Sequence, residues 1–202
     1  MSNRFYIPAH LFRIKQANGT WSMTPATYAS RFILEMEKRY GSRDSSWTYL
    51  GVEFSDDVPH VWFPKGNETP PRRHISITLS AEAFSDRQRT VYQLAHECVH
   101  LLAPVVDGSV PVIEEGLATA FSEDMIEYWC DNTNKQAYTE DKRYVNAAAR
   151  VRELLALEPD AIPRLRAVEP AFNQMTADTF TRAGLNVPPA LVAALLASFP
   201  VD

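Results

Sequence analysis

The residues best suited to chemistry are His96-Glu97-Cys98-Val99-His100, followed fifteen residues later by Glu115 within Glu114-Glu115-Gly116-Leu117-Ala118. Four helical residues advance the chain by one turn and about 40°, so His96 and His100 project from one side of a helix and can share a cation. Imidazole nitrogens and a carboxylate are ligands that zinc accepts, and hydrolytic zinc sites typically use three of them and keep one position for water. His96, His100 and Glu115 are the candidate ligands for one Zn2+ per chain. Glu97, turned about 100° from His96, can reach a bound water without replacing an imidazole and is the candidate general base.

Glu114 competes with Glu115 for the third position, since one residue turns a helical carboxylate by about 100°. Ile113, Leu117, Phe121 and Met125 recur every four residues and leave Glu115 off their stripe, which favours it as the ligand. Gly116 costs a helix about 1 kcal/mol relative to alanine, so its presence predicts a backbone or a metal site close by. Thr119, one turn on, is a candidate hydrogen-bond partner for a ligand histidine. Cys98 falls on the apolar stripe of its helix and reads as core.

These residues need two helices to position them. Ser85 and Gln88 have the form of a capping box, and Val91, Leu94, Ala95, Cys98, Leu101 and Leu102 continue at helical spacing to Pro104. A second helix is predicted from Val112 to about Trp129. Close packing of the two would carry Glu115 to the histidines.

Ahead of them, residues 4–7 read as the start of a strand, and Thr24-Pro25 opens a helix with Tyr28, Phe32, Ile33, Met36 and Tyr40 inward and Gly41 as its stop. Trp47 to Phe54 and Val58 to Phe63 flank the turn signal Asp56-Asp57 and predict a hairpin. Alternating Ile75, Ile77 and Leu79 predict a half-buried strand at His74 to Ser80. Behind them, Asp131 to Glu140 reads as loop and Lys142 to Leu157 as a helix. Pro159, Pro163, Pro170 and Pro188-Pro189 divide the remainder into short helices, the last near Ala190 to Ser198. The expected fold is α+β: a small mixed sheet, the histidine helix, the glutamate helix and an all-helical C-terminal part. One domain covers 1–202, with an α/β portion at 1–104 and a helical portion at 105–202.

With 202 residues, 46% of them hydrophobic, the chain can bury a proper core, and 20 Lys plus Arg against 25 Asp plus Glu give a formal charge of -5. That balance offers no field to recruit nucleic acid or an anionic membrane surface. Cys98 and Cys130 supply neither a disulfide framework nor a CxxC knuckle, which fits a reducing compartment. Met1 to Pro8 lacks the apolar core of a signal peptide, and no run reaches the length of a membrane span, so a soluble, cytoplasmic protein is expected.

HECVH followed by EEGLA resembles the gluzincin branch of the zincin metallopeptidases, over residues 75 to 129. The resemblance aligns His96 and His100 with the motif histidines, Glu97 with the catalytic glutamate, and Glu115 with the third ligand ahead of Gly-x-Ala in the aminopeptidase-like members. It implies a zincin-like fold, a zinc cofactor, a peptide or protein substrate, and a strand beside the active helix that holds extended peptide, here His74 to Ser80. It also implies a tyrosine or histidine after the third ligand as oxyanion donor. No histidine follows His100, so Tyr144 stands ahead of Tyr138 and Tyr128, because it opens a helix and lies on its inward side. Residues His10, His60 and His74 receive no role.

The sequence also departs from this family. Fourteen residues separate His100 from Glu115, fewer than in the large aminopeptidases, and no Gly-x-Met-Glu-Asn run is present to anchor a free amino end. Aminopeptidase activity is therefore not expected. Two rivals stand beside the peptidase: a zincin-like domain that keeps zinc for stability and binds another protein, and a helical interaction module without metal. Substrate, choice of terminal or internal bonds, and oligomeric state have no readable code here.

Overall fold

The computed structural model describes residues 24–64, 73–106, 108–130 and 138–200, together with the backbone of 13–16 and 19–22. The strand expected at 4–7 lies outside the described residues. The first elements among the described residues are an antiparallel pair, β1 (Arg13–Gln16) and β2 (Gly19–Ser22), which hydropathy periodicity does not single out. Helix α1 (Pro25–Tyr40) follows as expected. The Thr24 hydroxyl accepts from the Thr27 amide at 3.3 Å, Pro25 fills the first turn, and Gly41 at φ 90° ends the helix in a conformation other residues avoid.

A three-stranded mixed sheet comes next, made of β3 (Trp47–Ser55), β4 (His60–Trp62) and β5 (Arg73–Ser80) in the order β3-β5-β4. The expected hairpin between the first two strands does not form. Instead β5 enters between them, parallel to β3 and antiparallel to β4. Ile75, Ile77 and Leu79 are each fully buried, and a central position covers them better than an edge would. Burial extends to Ser76, Thr78 and Ser80, so this strand is not half-buried. The Ser76 hydroxyl donates to the Gly51 carbonyl at 3.0 Å, and Gln93 binds both the amide and the hydroxyl of Ser80.

Seven α-helices occur among the described residues. The histidine helix, α2 (Arg87–His100), is capped by Asp86, whose carboxylate accepts from the Arg89 amide at 3.0 Å. Ser85, expected as the cap, instead closes a 3-10 turn at Ala81–Phe84, its amide donating to the Glu82 carbonyl. The glutamate helix, α3 (Val112–Cys130), is buried on nearly every side, from Ile113 and Leu117 to Ala118, Ala120 and Ile126. It packs between α2 and α4 (Lys142–Leu157), which explains why its apolar positions exceed one stripe. The chain ends in α5 (Ala161–Val168), α6 (Ala177–Arg182) and α7 (Pro189–Leu196). Pro163 sits inside the first turn of α5 and divides nothing, because an amide there has no intrahelical partner to lose. No helix among the described residues is long and apolar enough to cross a membrane.

Two residues set how closely these helices pack. A methyl group on Gly116 would overlap the Ala147 carbonyl, approaching its carbon to 2.7 Å and Val151 Cγ2 to 2.8 Å. The close neighbour is therefore the backbone of α4. Arg166 is buried, and its guanidinium donates to the carbonyls of Tyr40, Gly41, Ser42 and Leu102 at 2.8 to 3.1 Å, tying the end of α1 and the turn after α2 to α5.

Gly116→Ala is expected to lower unfolding stability by about 3 kcal/mol, because α4 must move away from α3. Arg166→Met is expected to cost a similar amount, about 3 kcal/mol, by stranding several buried carbonyls. Urea denaturation of both variants checks the two values; a midpoint unchanged from wild type refutes the corresponding contact.

Candidate metal centre

Packing of α2 against α3 brings His96, His100 and Glu115 together. His96 Nε2 lies 3.2 Å from Glu115 Oε2, and His100 Nε2 lies 3.7 Å from Glu115 Oε1. Ligand atoms of the three residues all fall within 4.8 Å of one another, a group that could hold a metal ion. The two imidazoles stand with ring centroids 5.3 Å apart.

Glu114 is placed on the opposite side of the same histidine. His100 Nδ1 donates to Glu114 Oε1 at 2.8 Å, and Glu114 is only 1% exposed. With Nδ1 so engaged, the ring is fixed with Nε2 toward Glu115, the arrangement in which an outer carboxylate orients a metal-binding imidazole. From sequence Glu114 is only a rival ligand; the adjacent acidic pair at the start of an apolar helix is the signal available there for two separate roles. Thr119 does not reach a histidine. Its hydroxyl donates at 2.9 Å to the carbonyl of Glu115, one turn back on its own helix. Cys98 is fully buried among apolar neighbours, as expected.

Two adjoining cavities open on this group. The smaller, about 210 Å³, is lined by the three grouped residues together with Glu97 and Tyr144. The larger, about 610 Å³, starts from His96, Glu97 and Tyr144 and runs along α2 past Tyr92 to Arg89. Tyr144 stands edge-on to His96 with ring centroids 5.9 Å apart. Tyr138 lines only the larger cavity, stacked on Tyr92 at 4.4 Å. Tyr128 lines neither and is 76% exposed, which removes it as an oxyanion donor.

His60, given no role from sequence, lines the smaller cavity from β4. Its Nδ1 donates to the Val58 carbonyl at 2.8 Å, leaving Nε2 for another partner. His74 lines neither cavity, and His10 lies outside the described residues. His74 to Ser80 cannot act as the peptide-binding edge, because β5 has a neighbour on each side. The strand beside the cleft is β4, whose His60 and Val61 line it together with Pro59.

Burial sets the electrostatics of the group. It pushes the Glu97 carboxyl up toward its protonated form, against the pull of His100 and His96. Burial alone would strip His100 of its proton, but Glu115 and then the hydrogen-bonded Glu114 outweigh that and lift it to about 10. Burial likewise opposes the charge on Glu115, yet His100 and His96 hold its carboxyl down to about 2. Tyr144 is raised to about 12, first by burial and then by Glu115 and Glu97, so its hydroxyl stays protonated at neutral pH.

Compared with known proteins, the chain matches no family model, no curated protein and no solved structure.

A cation entering the group must displace the His100 proton, which is held up to about pH 10. Apparent affinity for added zinc is therefore expected to rise about tenfold per pH unit between roughly pH 6 and 9, with about one proton released per ion. Calorimetric titrations in buffers of different ionisation enthalpy measure both, and an affinity independent of pH would exclude His100 as the displaced group.

Proposed function

We propose that the protein is a zinc-dependent metallopeptidase of zincin-like architecture that hydrolyses peptide bonds with Glu97 as general base. The observation carrying this reading is the convergence of His96, His100 and Glu115 from two helices at the floor of a cleft that Glu97 also lines. Two imidazole nitrogens and one carboxylate form a donor set suited to zinc, and the Glu114 hydrogen bond to His100 supplies the outer support such a site needs. His96, His100 and Glu115 would hold zinc, which when bound would supply Lewis acidity.

The remaining steps belong to the chain. The buried Glu97 carboxylate takes the proton of the attacking water and passes it to the leaving amine. The Tyr144 hydroxyl donates a hydrogen bond to the carbonyl oxygen as negative charge develops on it. An extended substrate would lie along β4, which is an edge strand among the described residues, adding backbone hydrogen bonds to it. The larger cavity continuing along α2 gives room for residues flanking the cleaved bond.

Glu97→Gln is expected to retain about one equivalent of zinc and to lose roughly a thousandfold in turnover on a peptide library. His96→Ala is expected to lose the metal itself. Full activity in Glu97→Gln would remove the base from the mechanism, and stoichiometric zinc surviving His96→Ala would reject the site. Zinc that raises the unfolding temperature of a wild-type protein unable to cleave any library peptide would favour a zinc-stabilised binding domain.

A further inference from the structure

We infer that Phe199 is a positioning residue for Tyr144, holding its hydroxyl at the metal group from an extended strap at 197–200. The chemistry in this inference rests on the hydrolytic reading above; the contact itself rests on geometry. The strap is fixed along its length. Val112 donates its amide to the Ala197 carbonyl at 2.9 Å, Phe199 donates its amide to the Val110 carbonyl at 2.8 Å, and Pro111 and Ser198 form an antiparallel bridge between them. Arg143 Nη1 then donates to the Pro200 carbonyl at 3.3 Å. These ties join the start of α3, two residues before Glu114, to the start of α4, one residue before Tyr144.

Phe199 is 7% exposed and forms a small cluster with Val112 and Ala147, apart from the main core, against which Tyr144 packs. The Tyr144 ring therefore packs against two rings, Phe199 with centroids 4.8 Å away and His96 with centroids 5.9 Å away. A tyrosine in the first turn of a helix has two side-chain torsions to fix, and contact with two neighbouring rings restricts both. Without Phe199 the nearer of these two contacts is missing, and the ring gains room to move toward the larger cavity, which Phe199 and Pro200 also line. Small misplacements of a group acting on the transition state cost rate and leave ground-state binding nearly unchanged.

The test combines 3-fluorotyrosine labelling with kinetics. In fluorine NMR, the Tyr144 signal is identified by its loss in Tyr144→Phe; it is expected to shift toward free fluorotyrosine in Phe199→Ala and to stay near its wild-type position in Phe199→Leu. In zinc-loaded protein, Phe199→Ala is expected to lower kcat between about ten- and a hundredfold with KM within about twofold, while Phe199→Leu recovers most of the rate. In a Tyr144→Phe background the same substitution should add no further loss. An unmoved fluorine signal in Phe199→Ala, or an equal rate loss in both backgrounds, would overturn the inference and leave Phe199 a structural residue. Failure of the wild-type protein to cleave peptides would count against the hydrolase reading alone, because the fluorine signal still decides whether Phe199 positions Tyr144.

Discussion

Two neighbouring carboxylates, Glu114 and Glu115, enter an otherwise apolar interior at the start of α3, and the structure depends on how their charge is received. Buried acids need partners, since desolvation without compensation costs several kcal/mol per ion. His96 and His100 provide them, with His100 lying between the two acids and engaging each through a different ring nitrogen. That demand fixes the contact between α2 and α3. It also concentrates four polar groups at one point of the interior, where their interactions are strong because little water screens them.

The rest of the fold keeps that contact closed. Gly116, next to Glu115, lets the backbone of α4 press on α3 from behind, so the glutamate helix is held from both sides. Arg166 gathers carbonyls from the ends of α1 and α2, where helix dipoles leave negative partial charge, and anchors them to α5. The sheet then takes its place beside α2 with β4 outermost, which puts Pro59, His60 and Val61 along the cleft. The strap at 197–200 closes the other side. The walls of the cleft thus come from segments far apart in the chain, although the candidate metal-binding group itself spans only residues 96 to 115.

Where reading from sequence succeeded, the governing physics was local. The cap at Thr24, the stop at Gly41 and the periodicity of α2 involve residues within a few positions of one another. Where it erred, a nearby competitor or a distant neighbour intervened. Asp86 took the cap expected of Ser85 because Ser85 keeps the right-handed backbone of the preceding 3-10 turn, while Asp86 has the extended backbone that a cap requires. The hairpin signal around Asp56-Asp57 was overridden by Ile75, Ile77 and Leu79, whose burial is better satisfied in the middle of the sheet. Tyr128 is a candidate by type and by its position after Glu115, and its exposure and its place outside both cavities exclude it.

The sequence by itself determined that His96 and His100 share a helix face, because their four-residue spacing and the helical turn leave little choice. It also determined that Gly116 marks a close approach, since a helix tolerates glycine poorly without such a reason. Tertiary structure alone decided that Glu115 faces both histidines while Glu114 orients one of them, that β4 rather than β5 borders the cleft, and that Phe199 stands against Tyr144. Each of those outcomes depends on which elements become neighbours. Burial over the whole chain settles that, and the periodicity of any one segment does not record it.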